Sequence, residues 1–342
     1  MNQTTLEMQI VENSRNAGKT YEFDEVHEDT QPARIWFQES DEGLILFVVF
    51  YTRACRWSRC LGCNLPSKMS RRHIGYQSLM AQVDQVFSDP EVVRRGPSIR
   101  KVIASNNGSI LDEETFSSTA LVYLLAKLNL NLPKLKVLSI ETRPEYVDFA
   151  ELEFIARVLA EAETPVQLEL SIGFEAFDDV IRNQMYDKGL SLETFESLVA
   201  NVAPYGYHVK CYFMQKPVPG MTDEEAIEDI RRAIDYLAET ADRQGVAINM
   251  HLNPTYVAAK TMLEKALRKK QFTPPRLRDV AEAASHARGK RLSVFIGLSD
   301  EGLAVEGGSF IRDGEEHLVE ELENFNRTQD YDILDGIRSA GT

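Results

Sequence analysis

Three cysteines fall within nine residues, in the segment YTRACRWSRCLGCNLPSK, spaced Cys55-x4-Cys60-x2-Cys63. Crowding of this kind does not fit a distributed disulfide framework, and clustered thiols in a reducing compartment read as metal ligands. Three thiolates on one loop can hold three irons of a [4Fe–4S] cube and leave the fourth iron open. Zinc is the rival ion. A structural zinc site wants four ligands, and only Cys211 or a histidine could complete this one. Cys211 lies inside an expected strand and reads as core. A third reading leaves the three thiols unligated and structural.

The loop is positioned by the elements around it. Strand-like runs recur at LILFVVFYT (44–52), KVIAS (101–105), KVLSIE (136–141), VQLELSIGF (166–174), HVKCYFM (208–214), AINMHL (247–252) and RLSVFIG (291–297). They are nearly continuous apolar stretches, as parallel strands covered on both faces should be. Between them, residues 76–87, 118–128, 150–161, 192–202 and 223–241 repeat apolar positions every three or four residues, and Thr222 with Glu225 forms a capping box. This alternation predicts the α/β class with a parallel sheet. No GxGxxG follows the first strand, so a closed or partly closed β/α barrel is expected over 44–300. Residues 1–43 form an N-terminal extension anchored by Trp36 and Phe37. Residues 301–342 form an acidic C-terminal extension, in which EEHLVEELENF predicts a short amphipathic helix.

Chemistry in such barrels sits at the C-terminal strand ends. Polar residues collect there: the cysteines after the first run, Asn106, Asn107, Gly108 and Ser109 after the second, and Glu141, Thr142 and Arg143 after the third. Glu175 follows the fourth, Gln215 and Lys216 the fifth, and Asn253 the sixth. His251 reads as a satisfied core histidine.

The chain has 342 residues, 43% hydrophobic and 27% charged, with a net charge of −15. That composition excludes whole-chain disorder and does not suit a general nucleic-acid binder. The longest apolar run has seven residues, too few to span a bilayer, and the polar N-terminus shows no secretory signal, so a cytoplasmic location is expected. One stretch reverses the charge. Residues 43–83 contain no Asp or Glu, yet carry Arg53, Arg56, Arg59, Lys68, Arg71, Arg72 and His73. This reads as compensation for an anionic cluster and a small anionic ligand, as a site for phosphate or RNA, or as a solvated helix face beginning near Ser70.

The cysteine segment resembles the cluster loop of the radical S-adenosylmethionine (radical-SAM) superfamily, which follows the first strand of a β/α barrel. The family's commonest spacing is C-x3-C-x2-C, and an aromatic residue usually stands where this chain has Gly62. IETRPEYV (140–147), LSIGFEAFDDVIRNQMYDKGLSLETF (170–195) and KCYFMQKPVPGMTDEEAIEDI (210–230) resemble the branch of the Elongator catalytic subunit. NNGSILDEETF (106–116) resembles the group containing the archaeosine-forming radical-SAM enzyme.

The resemblance implies a partial (β/α)6 TIM-like barrel with N- and C-terminal extensions. It also implies a [4Fe–4S] cluster on Cys55, Cys60 and Cys63, with S-adenosylmethionine (SAM) as second cofactor. Reductive cleavage of SAM would give a 5′-deoxyadenosyl radical that abstracts hydrogen from a substrate. Asn106 to Ser109 are then candidates for the methionine amino group, or an ordinary Asn-Gly turn. Arg143 would take the SAM carboxylate or pair with Glu141. Ser171 and Glu175 would meet the ribose, and Gln215 and Lys216 the adenine or carboxylate end. Trp57 would stack on a base or cap the core. A reductant protein of flavodoxin or ferredoxin type is the implied partner. The substrate is a small, anionic metabolite or a tRNA base.

Overall fold

Residues buried in succession give a strand two covered faces, and the strands Gly43–Val49, Ile99–Ser105, Val137–Thr142 and Gln167–Glu175 each carry such a run. The strands are β1 (Arg34–Ser40), β2 (Gly43–Val49), β3 (Ile99–Ser105), β4 (Val137–Thr142), β5 (Gln167–Glu175), β6 (His208–Gln215), β7 (Ile248–Pro254) and β8 (Ser293–Ile296). The helices are α1 (Gln3–Asn16), α2 (Tyr76–Ser88), α3 (Pro90–Arg95), α4 (Ser118–Asn131), α5 (Phe149–Leu159), α6 (Leu192–Val202), α7 (Asp223–Gln244), α8 (Met262–Arg268), α9 (Leu277–Ser285), α10 (Glu316–Thr328) and α11 (Tyr331–Ser339). This computed structural model describes residues 3–339. Residues 1, 2 and 340–342, the outer ends of the two expected extensions, lie outside the described residues. Among the described residues, no helix is long and apolar enough to cross a membrane.

Two compact units divide the chain. The first takes in residues up to 15, 22–58 and 65–172. Here β2, β3, β4 and β5 pair in parallel in that order. β1 is an addition the sequence reading left inside the extension. It pairs antiparallel with β2, placing Trp36 opposite Phe47 with their rings stacked at 4.0 Å. The buried Gln82 of α2 accepts from the Tyr51 amide and donates to the Tyr51 carbonyl, both at 2.8 Å. That amide fixes the chain where it leaves β2 toward Cys55. No helix begins at Ser70. Ser70 instead bridges Arg53 and gives its hydroxyl to Glu25, and α2 starts at Tyr76.

One cation of this unit lies wholly inside. Lys101 on β3 has no exposed surface, and its Nζ donates to Glu42 at 2.6 Å and to Glu169 on β5 at 2.9 Å. Burial opposes the Lys101 charge, but Glu169 and Glu42 outweigh it and the pKa is raised.

The second unit takes in 16–21, 59–64 and residues from 173 onward. Strands β6, β7 and β8 pair in parallel. Val209, Cys211 and Phe213 alternate onto the fully buried face, where Phe213 stacks on Phe174 at 4.7 Å and Phe174 meets Phe195 of α6 edge-on. Cys211 is therefore a core residue, as its place in the strand predicts. The other face carries Tyr212, His251 and Phe295, in ring contact at 4.8 and 4.7 Å. His251 is buried there, within this ring stack. The capping box of α7 forms as expected: Glu225 N donates to Thr222 Oγ1 at 3.1 Å and Thr222 N to Glu225 Oε2 at 2.8 Å. The helix expected from EEHLVEELENF is α10. Its Asn326 and the following Gln329 each pair with the outer edge of β8. Asn326 Oδ1 accepts from Ile296 N and its Nδ2 donates to Ile296 O, both at 2.8 Å. Gln329 does the same for Val294, at 3.4 and 2.9 Å.

Candidate active site

Each unit places part of the expected site at strand ends. In the first, Cys55 follows β2 and is half-buried. Its carbonyl accepts from the Ser58 hydroxyl. The backbone after β3 comes close to it, so a Cβ on Gly108 would stand 3.3 Å from the Cys55 Cα. Asn106 is fully buried. Its Nδ2 donates to Ser109 O and Thr115 Oγ1 at 3.2 and 3.1 Å, while its Oδ1 has no partner. Asn107 adopts φ +55, the left-handed region that asparagine tolerates. The Ser109 hydroxyl accepts from Arg143 N at 3.0 Å, and Ile110 N donates to the Glu141 carbonyl at 2.9 Å. The loop after β3 is thus tied to the end of β4.

Arg143 is buried and its guanidinium lies over the Trp57 ring at 4.5 Å. Its side chain pairs with Glu145. Ser171 lies in register beside Glu141 of β4, its Oγ 2.6 Å from Ser139 Oγ. Beside the loop lies a cleft of about 520 Å³ lined by Arg56, Asp112, Glu114, Tyr146 and their neighbours. Arg56 donates through Nε and Nη2 to the two Asp112 oxygens at 2.6 and 2.7 Å and lies over Tyr146. Burial pushes the Tyr146 phenol up to about 12.

The arginine run is matched by carboxylates. Arg53 pairs with Glu114, Arg56 with Asp112, Arg71 with Glu25, and Arg72 with Glu25 and Asp29. Arg59, in the second unit, pairs with Asp187. Their charge is taken up within the protein, so the run does not present a bare basic face.

In the second unit, Cys60 and Cys63 bracket a turn in which Cys63 N donates to Cys60 O at 3.2 Å. Gly62 sits against Leu263, where a Cβ would lie 2.5 Å from Cδ1. A side chain at that position would have to displace Leu263. At the end of β5, Glu175 adopts φ +76 and accepts from Lys188 Nζ at 2.8 Å. That reach needs a bare Gly173, whose Cβ would lie 2.3 Å from Nζ. At the end of β6, Lys216 adopts φ +61 and donates to Asp223 at 2.7 Å. Glutamate and lysine hold such backbone angles at a cost, and costs of this kind concentrate where ligands are handled.

Gln215, just before it, is fully buried with both Nε2 and Oε1 unpartnered. The buried Thr255 follows β7, donates its amide to Gln215 O at 3.3 Å, and also has an unpartnered hydroxyl. Sequence reading missed Thr255, since a threonine after Asn-Pro carries no signal of its own. A buried amide left unpaired costs about 1–3 kcal/mol, a debt a ligand can settle.

All four cysteines are thiols. Among the described residues, no group of three or more His, Cys, Asp or Glu side chains is gathered as a metal site. Cys55 belongs to the first unit, and Cys60 and Cys63 to the second. The donor set nevertheless fits a thiolate-ligated cluster: three half-buried sulfurs, a glycine backbone against the first, and no carboxylate within residues 43–83.

No family model matches the chain. Curated relatives include an uncharacterised protein of Methanocaldococcus jannaschii, 24% identical over 320 residues, which are 90% of this chain and 84% of the relative. The archaeosine synthase subunit beta of Methanosarcina acetivorans is 28% identical over 246 residues, 71% of this chain and 66% of the relative. Among solved structures, the Elp3 of Methanocaldococcus infernus, with its N-terminus deleted, superposes with a TM-score of 0.50 at 17% identity. The match covers 73% of this chain, which spans 58% of that one. The partial β/α barrel expected from the sequence is the fold these two share. In fold the chain is similar to Elp3, and in sequence it is similar to the archaeosine synthase beta subunits.

Proposed function

We infer that the chain is a radical-SAM enzyme whose cluster ligands are Cys55, Cys60 and Cys63. The observation that carries this is the three-thiol loop directly after the first parallel strand of a fold shared with Elp3. When bound, a [4Fe–4S] cluster supplies the electron that cleaves SAM to methionine and a 5′-deoxyadenosyl radical.

The chain's own residues bind, orient and shield. Asn106 Oδ1 offers an acceptor for the methionine ammonium. Arg143, braced by Trp57 and Glu145, offers a fork for a carboxylate. Gln215 presents a donor and an acceptor together, beside the Thr255 hydroxyl, which suits a ligand edge bearing both. Glu175 and Ser171 remain the ribose candidates; Glu175 is held by Lys188 and Ser171 by Ser139. Burial of these groups keeps water from a reactive radical.

Two relatives are named as beta subunits of archaeosine synthase. We extend this to a working partner polypeptide for the present chain, with an electron donor of flavodoxin or ferredoxin type as the second. Because the arginines are internally paired, a tRNA substrate would need the partner to supply most phosphate contacts. Gel shift with and without the partner tests this; binding of tRNA by the chain alone at low salt would overturn it.

Anaerobic incubation of reconstituted protein with SAM and dithionite should yield 5′-deoxyadenosine. About one zinc and no iron in anaerobically purified protein would defeat the reading. A sharper check is Gln215→Leu. The apoprotein should melt no lower than wild type, since a debt is removed. SAM binding to the reconstituted protein, measured by equilibrium dialysis, should weaken by about tenfold or more. Unchanged affinity would remove Gln215 from the SAM site.

A further inference from the structure

The segment after β5 contains a wide turn, Val180–Met185, closed by a bond from Tyr186 N to Ile181 O at 2.8 Å. Turns of this π type are rare and recur at functional places. This one is organised by Arg182, which has no exposed surface. Its Nε donates to Leu190 O at 2.7 Å, its Nη1 to Ala176 O and Phe177 O at 3.1 and 2.7 Å, and its Nη2 to Asp179 at 2.7 Å. The guanidinium lies over the Phe174 ring at 5.0 Å. One side chain therefore ties both ends of residues 176–190. Burying a guanidinium is costly, and here most of its bonds go to backbone carbonyls, so what it fixes is the path of the chain.

That path leads to the cysteine loop. The Tyr186 carbonyl accepts from Leu61 N at 2.8 Å. Asp187, held at φ +60, accepts from Arg59 Nε at 2.8 Å. Lys188 N returns to Arg182 O at 2.9 Å. Cys60 and Leu61 pack on the buried cluster of Tyr186, Val218, Met221 and Ala226. An ordinary α-turn would engage one residue fewer and shift the Tyr186 carbonyl away from its place under Leu61.

We propose that Arg182 is a positioning residue for the Cys60–Cys63 half of the ligand loop. It builds the wide turn from which Tyr186 and Asp187 grip residues 59–61, so that two thiols are held in place before any metal arrives. The consequence for a cluster rests on the radical-SAM reading above; the grip itself does not.

The test is Arg182→Lys in the full chain, because a lysine keeps the charge but cannot span four acceptors. In the iron-free protein, amide hydrogen exchange across residues 59–64 should accelerate about tenfold or more, while β3 exchanges as in wild type. After reconstitution, the reduced-cluster EPR signal should broaden, and a three-iron signal should grow on oxidation. Wild-type exchange with an unaltered EPR signal would overturn the proposal. Should Arg182→Lys lose its cooperative melt, the pair Arg59→Gln and Asp187→Asn decides, since both side chains are partly exposed. Exchange over 59–64 should then rise about two- to threefold at an unchanged melting temperature, and no rise would overturn the proposal. A wild-type protein that takes up no iron would defeat the radical-SAM reading, and exchange in the iron-free chain would still decide the role of Arg182.

Discussion

Replacing Cys55, Cys60 and Cys63 together by alanine should abolish iron uptake, the broad absorbance near about 400 nm, and 5′-deoxyadenosine formation. Unfolding should stay cooperative, because the three side chains are only half-buried. Each single replacement should be nearly as damaging, since two thiolates cannot hold a cube with one vacant corner. Cys211→Ala is the informative control. Cys211 is fully buried in β6, so its loss should lower stability by about 1 kcal/mol and leave colour and cleavage intact. A four-thiol zinc site would instead lose its metal with Cys211. Iron and sulfide per chain, with chromatography of the nucleoside product, check all of these, and cleavage retained in the triple variant would refute the assignment.

The strands were legible because continuous apolar runs such as LILFVVF admit few other fates. β1 was not. RIWFQES is charged at both ends, and it is a strand because β2 offers it a partner. α1 and α9 escaped for a related reason. QTTLEMQIVENSRN has few apolar positions, and LRDVAEAAS, though its Leu277, Val280, Ala281 and Ala284 share one face, is short and mostly alanine on that face. The cysteine loop stood out by its spacing, but its surroundings did not. The Arg59–Asp187 pair joins residues 128 positions apart, and neither member advertises the other. In sequence the charge reversal of 43–83 therefore fits an anionic cluster and ligand, a phosphate or RNA site, or a solvated face, while the fold brings Glu25, Asp29, Asp112, Glu114 and Asp187 to meet its arginines. Gln215 stood out by its strand-end position; that its amide is unpartnered is visible only in three dimensions.

Lys101→Met should be the most destabilising single change in the first unit. It takes away the ammonium that donates to the Glu169 carboxylate, which is only 3% exposed. Removing one partner of a buried pair costs about 3–5 kcal/mol, whereas replacing the pair with apolar groups can be neutral. The double variant Lys101→Met, Glu169→Leu should accordingly recover most of the loss, because Glu42 is 34% exposed and can turn to water. Urea titrations of the three proteins measure this, and a double variant no better than the single would show that burial of the charge is not the cause. Since the folded-state pKa of Lys101 is raised, its stabilising part is complete below the unfolded value near 10.5 and fades as pH rises through the folded one. Wild type should therefore lose stability above about pH 10.5 by a margin the double variant does not share.

The amides of Asn326 and Gln329 have a consequence beyond local bonding. Each returns to one β8 residue the donor and acceptor that a ninth strand would have provided. Open sheet margins recruit other chains and seed aggregates. Here the template is occupied from within, so this border of the protein is closed to self-templating, and any assembly it joins must be made through side chains.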